Sequence, residues 1–331
     1  MGKTIARDKW TFASGRAAAL EARMLPRSFF ERLAELSGPE EIIHNLGETP
    51  LSGQLARPEE LREAHLKARA FRDGAFEEMR RYSPSTGLAD LMELQKEFRS
   101  LKNFVKKHDL GLDVAPVASR YGEEVWERLW AGQEVNVPVY FQTAAQRIKA
   151  IVGPKATQAA FLDAACDSAC LAALCEAAQM TGSDFIVEHY SRYDTVKGIE
   201  MLWRAKMGGL GDEVLHVLTE GRQDAALFGA IRKSDEAEWP EMLASALRGL
   251  SVERVAGAKD LDRVREFVAA ADEWQMSFVR QARLVPYGIE RVFGYLLGID
   301  AEAANLALCL CGRAYGIAPE LLLRRLRACY V

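Results

Sequence analysis

Residues 58–82 read PEELREAHLKARAFRDGAFEEMRRY. Leu61, Phe71, Phe76 and Met79 recur at helical intervals between carboxylates and bases. Pro58 stands where a helix opens, because the first turn leaves its N–H groups unpaired and proline has none to lose. The segment predicts a long amphipathic helix. The same period runs upstream through Leu20, Met24, Phe29, Phe30, Leu33 and Leu36. Ser28 with Glu31 and Ser37 with Glu40 have capping-box spacing, and Gly47 follows Leu46 where a left-handed cap would end a helix. The one strand-like stretch is VNVPVYF at 135–141. Pro138 in its middle removes a ladder donor, so an extended linker is expected there and a sheet is not. The fold class expected is all-α.

A chain of 331 residues exceeds a comfortable single core, and 49% hydrophobic with 27% charged residues suits two or three packed globular units. The net charge of -4 offers no general attraction for a phosphate backbone or an anionic membrane, so nucleic acid is not an expected partner. Residues 156–180 are the longest apolar candidate, but Asp163, Asp167 and Glu176 interrupt them, and no membrane span is expected. The opening MGKTIARDKW lacks the apolar core of a secretion signal, and a cytoplasmic location follows as an expectation. Cys166, Cys170, Cys175, Cys309, Cys311 and Cys329 read as buried free thiols.

Three segments echo one another at spacings near a hundred residues: EFRSLKNFVKKHDLGL from Glu97, DTVKGIEMLWRAKMGGL from Asp194 and EAANLALCLCGRAYGI from Glu302. Each begins with a carboxylate, continues as an apolar helix, and ends in a base and a glycine-containing stop. An acid lies upstream of each within a helix: Asp73, Asp167 and Asp272. The repeat predicts three helical units, at residues 1–114, 115–222 and 223–331. Glu97, Asp194, Glu302 and Asn305 are its signature residues. A carboxylate at a helix amino terminus meets the positive end of the dipole, so the expected role of these residues is structural. Direct contact with a partner is the alternative.

Signatures of catalysis are missing. GxxxxGK[ST] does not occur, and in Lys206-Met-Gly-Gly-Leu-Gly211 the lysine precedes the glycines, so a helix stop is expected in place of a phosphate loop. The histidines at 44, 65, 108, 189 and 216 form no HExxH pair, and His189 beside Glu188 reads as scaffold. Paired acids of the DDxxD kind are missing too. No catalytic residue, cofactor or metal ligand is expected. Arg324, Arg325 and Arg327 read as the solvated face of a last helix.

WTFASGRAAALEARMLPRSFFERL at 10–33 resembles the amino-terminal signature of the C-type subunits of V/A-type ATPases and ATP synthases, the family of the d-type subunit of eukaryotic V-ATPase; Gly15, Arg16, Glu21 and Arg23 carry the likeness. VPYGIERVFGYLLGIDAEAANLALCLCGRAYGIAPELLLRRLRACYV at 285–331 resembles that family's carboxy terminus, with Glu302 and Asn305 in its Glu-x-x-Asn-Leu step. GSDFIVEHYSRYDTVKGIEMLWRAK at 182–206 is similar to its middle segment. The asparagine position holds Ser100 in the first repeat and Lys197 in the second. The resemblance implies a funnel of three similar helical domains in pseudo-threefold arrangement around a central cavity. It implies a non-catalytic central-axis role in a rotary ATPase or ATP synthase. The partners implied are central-stalk subunits of the D and F type and the membrane proteolipid ring, with one copy per complex, a monomer when isolated, held peripherally at the cytoplasmic face. A free-standing helical adaptor of the same fold is the competing reading.

Overall fold

The computed structural model describes residues 5–36, 38–49, 51–52, 55, 57–153 and 158–331. Among them every regular element is helical. In chain order the α-helices are α1 (Thr11–Glu21), α2 (Arg27–Glu35), α3 (Pro39–Asn45), α4 (Ala64–Tyr82), α5 (Gly87–Leu110), α6 (Glu123–Trp130), α7 (Val139–Val152) and α8 (Ala159–Met180). There follow α9 (Asp184–Met207), α10 (Asp212–Thr219), α11 (Ala225–Lys233), α12 (Trp239–Ala246), α13 (Glu253–Gly257), α14 (Asp260–Val279), α15 (Ile289–Ala314) and α16 (Pro319–Leu323). Three pairs of long helices, α4–α5, α8–α9 and α14–α15, alternate with runs of short ones.

The chain divides into two compact units. One, the split unit, joins Ile5–Ala89 to Ala271–Val331; the other, the middle unit, contains Asp90–Ala270. In the split unit α15 is the axis, with α1, α2, α3, α4 and α16 against it. Its core takes Phe29, Phe30 and Leu33 from α2, Leu61 and Ala68 from the segment around α4, and Leu306, Cys309 and Leu310 from α15. In the middle unit α8 packs on α7, α9 and α10. Ala164, Ala165, Ala169, Ala173 and Ala177 are buried along α8, and such small side chains let neighbouring backbones come close. Two aromatic groups fill the rest. Phe98, Trp126 and Phe141 cluster at one place, and Trp203 meets Trp239 and Phe267 at another, with ring centroids 4.8 and 5.6 Å away.

Local readings are corrected at several points. The helix expected from Pro58 opens as a 3₁₀ turn, Pro58–Glu63, before α4 begins. Ser28 is no cap: α2 starts at Arg27 after an extended Pro26, and Glu31 pairs with Arg27 at 2.8 Å. Ser37 lies outside the described residues, so its pairing with Glu40 does too. Gly47 is inside a 3₁₀ turn, Leu46–Glu48, and is not among the glycines with positive φ. The extended linker expected at 135–141 is not found: Val137 donates to the Val135 carbonyl in a tight turn at 2.9 Å, and Pro138 serves as the N-cap of α7, which begins at Val139. The glycine-rich stop after Lys206 is where it was expected. Gly209 has φ +64°, and Leu210 donates back to the Ala205 carbonyl at 2.9 Å, closing the end of α9.

Three further corrections concern charge and hydropathy. Glu97, Asp194 and Glu302 do not open helices; they are the eleventh, eleventh and fourteenth residues of α5, α9 and α15. A polar residue followed by an apolar run mimics a helix start, but here the polar residue is itself buried. Among the described residues the helix long and apolar enough to cross a membrane is α15, not the 156–180 stretch. In α15 72% of the most apolar window is buried inside the fold. Lastly, the chain after Leu323 is not helical: Arg324 and Arg325 are exposed, while Arg327 is drawn in against acids.

Candidate functional site: buried carboxylates that hold distant segments

The three repeat carboxylates are 7%, 4% and 3% exposed, in the order Glu97, Asp194, Glu302. A buried charge or polar group survives only with partners, and each of these finds them in a segment far along the chain. Glu97 accepts from the Ser119 hydroxyl and from the Arg120 N–H at 3.1 Å. Asp194 pairs with the Arg222 guanidinium, which also donates to the Leu218 carbonyl at 2.9 Å. Glu302 accepts from the Leu25 N–H at 2.9 Å. The position three residues on behaves similarly in two of the repeats. Ser100 accepts from the Trp126 indole at 3.1 Å, and Asn305 donates to the Arg327 carbonyl at 3.1 Å while accepting its N–H at 2.8 Å. Lys197 instead binds Glu200 on its own helix.

In the split unit these contacts form part of a larger clasp between the first and last segments. Glu21, at the end of α1, pairs with Arg291 on α15 and accepts from the Tyr330 hydroxyl at 3.1 Å. Burial raises the Glu21 carboxyl above its ordinary range despite that cation. Burial also pushes up the hydroxyl of Tyr330, with the Glu21 charge adding to the effect. Ser14 exchanges hydrogen bonds with both backbone groups of Gly288, at 3.0 and 3.1 Å. Asp272 accepts the Ala328 N–H at 2.6 Å, and Arg327 reaches Asp300 at 3.1 Å, which in turn binds Arg72 at 2.7 Å. Gly298 lets the tail lie close to α15: a Cβ there would stand 2.6 Å from Met24 Cε and 2.7 Å from Tyr330 Cβ.

The amino-terminal signature residues separate by role. Glu21 is interior, whereas Gly15 and Arg16 are on the exposed side of α1 with Phe12, which is 67% exposed, and Arg23 is exposed in the turn after α1. Arg16 binds Glu78 on α4 at 2.5 Å. Of the upstream acids, Asp272 joins the clasp, Asp167 binds Lys102 at 2.8 Å, and Asp73 pairs with Arg72 on its own helix at 2.9 Å. Sequence reasoning passed over Arg222, Ser119 and Arg291. Nothing local marks them, since their partners stand 22 to 270 residues away.

His189 is buried against Tyr190 and Tyr193, and burial lowers its ring to about 3, so it is neutral and no base near physiological pH. The Cys166, Cys309 and Cys329 thiols are buried and pushed up to about 12, 12 and 11, chiefly by that burial. No group of three His, Cys, Asp or Glu able to hold a metal occurs among the described residues. A shallow cleft of about 300 Å³ in the middle unit is lined by Trp203, Met207, Glu236, Lys259 and Arg263. Arg263 turns two of its donors onto the Ala258 and Glu236 carbonyls, so it ties loops together.

A family model described as ATP synthase (C/AC39) subunit matches residues 13–325 of the chain. No curated protein matches it.

Proposed function

The chain belongs to the ATP synthase (C/AC39) subunit family, and from that premise we propose that it is the non-catalytic central-axis subunit of a V/A-type rotary ATPase or ATP synthase. In this role it receives the foot of the central stalk, made of subunits of the D and F type, and rests on the membrane proteolipid ring. It passes torque between them during cation transport, one copy per complex, peripheral at the cytoplasmic face. The observation that carries the reading is the match over 13–325, which spans both compact units.

We read the three long helix pairs as the cores of three similar domains, with nominal bounds 1–114, 115–222 and 223–331, set in pseudo-threefold fashion as a funnel about a central cavity. The near-equal depth of Glu97, Asp194 and Glu302 in α5, α9 and α15 supports that reading. So does the way each ties its helix to a distant segment. A part that passes torque must be stiff, and buried polar ties between distant segments remove the slack that apolar packing alone would leave. The exposed side of α1, with Phe12, Gly15 and Arg16, together with Arg23 in the turn after it, is the face we assign to a neighbouring subunit.

The test is to mix the purified chain with the central-stalk subunits of the same organism and follow co-elution on a sizing column with light scattering. A stable one-to-one assembly is expected. Elution alone at every salt and concentration would overturn the rotor role and favour a free-standing adaptor of the same fold.

A further inference from the structure

Of the buried carboxylates, Glu21 and Asp194 each meet an arginine and Glu97 accepts on both oxygens from Ser119 and Arg120, whereas Glu302 has no cation and a single donor. It is 3% exposed, Oε2 accepts the single N–H of Leu25, and Oε1 has no hydrogen-bond partner among the described residues. An ionised carboxylate needs its lone pairs occupied, and burial without that compensation is among the most costly arrangements a fold can hold.

The surrounding elements do not make up the deficit. Among the described residues no cation on an element packed against α15 forms an ion pair with Glu302, and the named ones go elsewhere: Arg16 of α1 on Glu78, Arg27 of α2 on Glu31, and Arg72 of α4 on Asp73 and Asp300. Arg291 of α15 itself is taken by Glu21, and Arg313 donates to the Leu36 carbonyl. From the Arg280–Leu284 turn, Arg280 binds Glu273 and the Cys329 carbonyl, and Arg283 lies over the Tyr330 ring. Arg62, from the Pro58–Glu63 turn, lies over Tyr315, and Arg32 of α2 over Phe29. His65 of α4 touches Cys311, and among the described residues neither it nor His44 of α3 pairs with Glu302; the acids Glu40 and Glu41 of α3 and Glu320 of α16 bring no positive charge. Arg327 of the tail goes to Asp272 and Asp300. The groups that register the Glu302 charge are Tyr295 and Cys329, and neither supplies a positive one.

We propose that Glu302 is held as the neutral acid in the folded chain and acts as a proton-linked latch where the loop at Leu25 meets α15. On ionisation the O–H bond breaks, the proton passes to solvent, and a negative charge is left in an apolar interior. Water entering that join then relieves the charge, and the clasp between first and last segments loosens. The acid's rise from the ordinary 4.5 to about 7, caused first by burial and only partly opposed by the Leu25 N–H, agrees with the geometry.

The sign follows from linkage. A folded-state value above the unfolded one means that the stabilisation is complete below about 4.5 and is lost as pH rises to about 7. The experiment compares the wild-type chain with Glu302→Gln, whose carbonyl still accepts from Leu25 but cannot ionise. Between about pH 5.5 and 7.5 the folding equilibrium of the wild type, from urea unfolding, should fall roughly 20-fold more than that of E302Q. Protection of the Leu25 amide against hydrogen exchange, corrected for the intrinsic rate, should drop over the same range in the wild type alone. Should E302Q fail to fold, the carbon-13 titration of the Glu302 carboxyl in the wild-type chain decides. A midpoint near neutrality supports the latch, and an ordinary carboxylate midpoint overturns it. Equal pH slopes in the two proteins would overturn it as well.

Discussion

The middle unit and the split unit each bury a carboxylate halfway along a long helix, and they settle it differently. Asp194 on α9 meets Arg222, a full charge partner that is itself 6% exposed. Glu302 on α15 meets one backbone N–H. An ion pair sealed from water holds hard at any pH where both groups are charged, but it is brittle, because removing either partner strands the other. A lone carboxyl capped by an amide holds through its proton and packing, and it tolerates neutral replacement. A buried carboxylate midway along a long helix thus makes a permanent tie in one unit and an adjustable one in the other.

The comparison breaks most visibly at the pair. Arg222→Ala leaves Asp194 charged and buried, and should cost about 3–5 kcal/mol in urea unfolding. Replacing both residues together, Asp194→Leu with Arg222→Met, should cost less than either single change. If the double variant were the worse, the attraction within the pair would exceed its desolvation cost. Next in size is Gly298→Ala. The new Cβ would press on Met24 and Tyr330, and a loss of about 1–3 kcal/mol is expected by the same measurement. An unchanged midpoint would mean that the tail is not seated against α15. The smallest effect is a gain. Gly15 on the exposed side of α1 has open space where a Cβ would stand, with nothing within 4 Å, so Gly15→Ala should add roughly 0.5–1 kcal/mol by restricting the unfolded chain. A loss there would show that α1 needs the glycine's freedom after all.

Much of this molecule could be read before folding. The period of Phe71, Phe76 and Met79 announces α4, with Leu61 in the 3₁₀ turn before it, and Glu97, Asp194 and Glu302 are each buried with a partner from another segment. What misled the reading was the meaning of those acids. Seen along a line, a carboxylate before an apolar run is a helix start; in space it is an interior group whose partner arrives from another stretch of chain. Ser28 failed for a related reason, since Pro26 already fixes the extended residue from which α2 begins. Arg222, Ser119 and Arg291 could not be picked out at all, because an arginine or serine destined for burial looks like any surface one until its acid is known. The split unit itself is invisible to a linear reading, which cuts the chain into consecutive pieces.

That division of the split unit imposes an order in time. Phe29, Phe30 and Leu33 are made early, yet they share a core with Leu306, Cys309 and Leu310, and Asp90–Ala270 is made in between. At roughly 5–20 residues per second the ribosome needs on the order of 10–40 s to cross that gap. Throughout it the early helices present an apolar face whose partner on α15 is not yet made. Residues 271–331, Tyr330 among them, thus complete a unit begun by residues 5–89 only after everything between has been made.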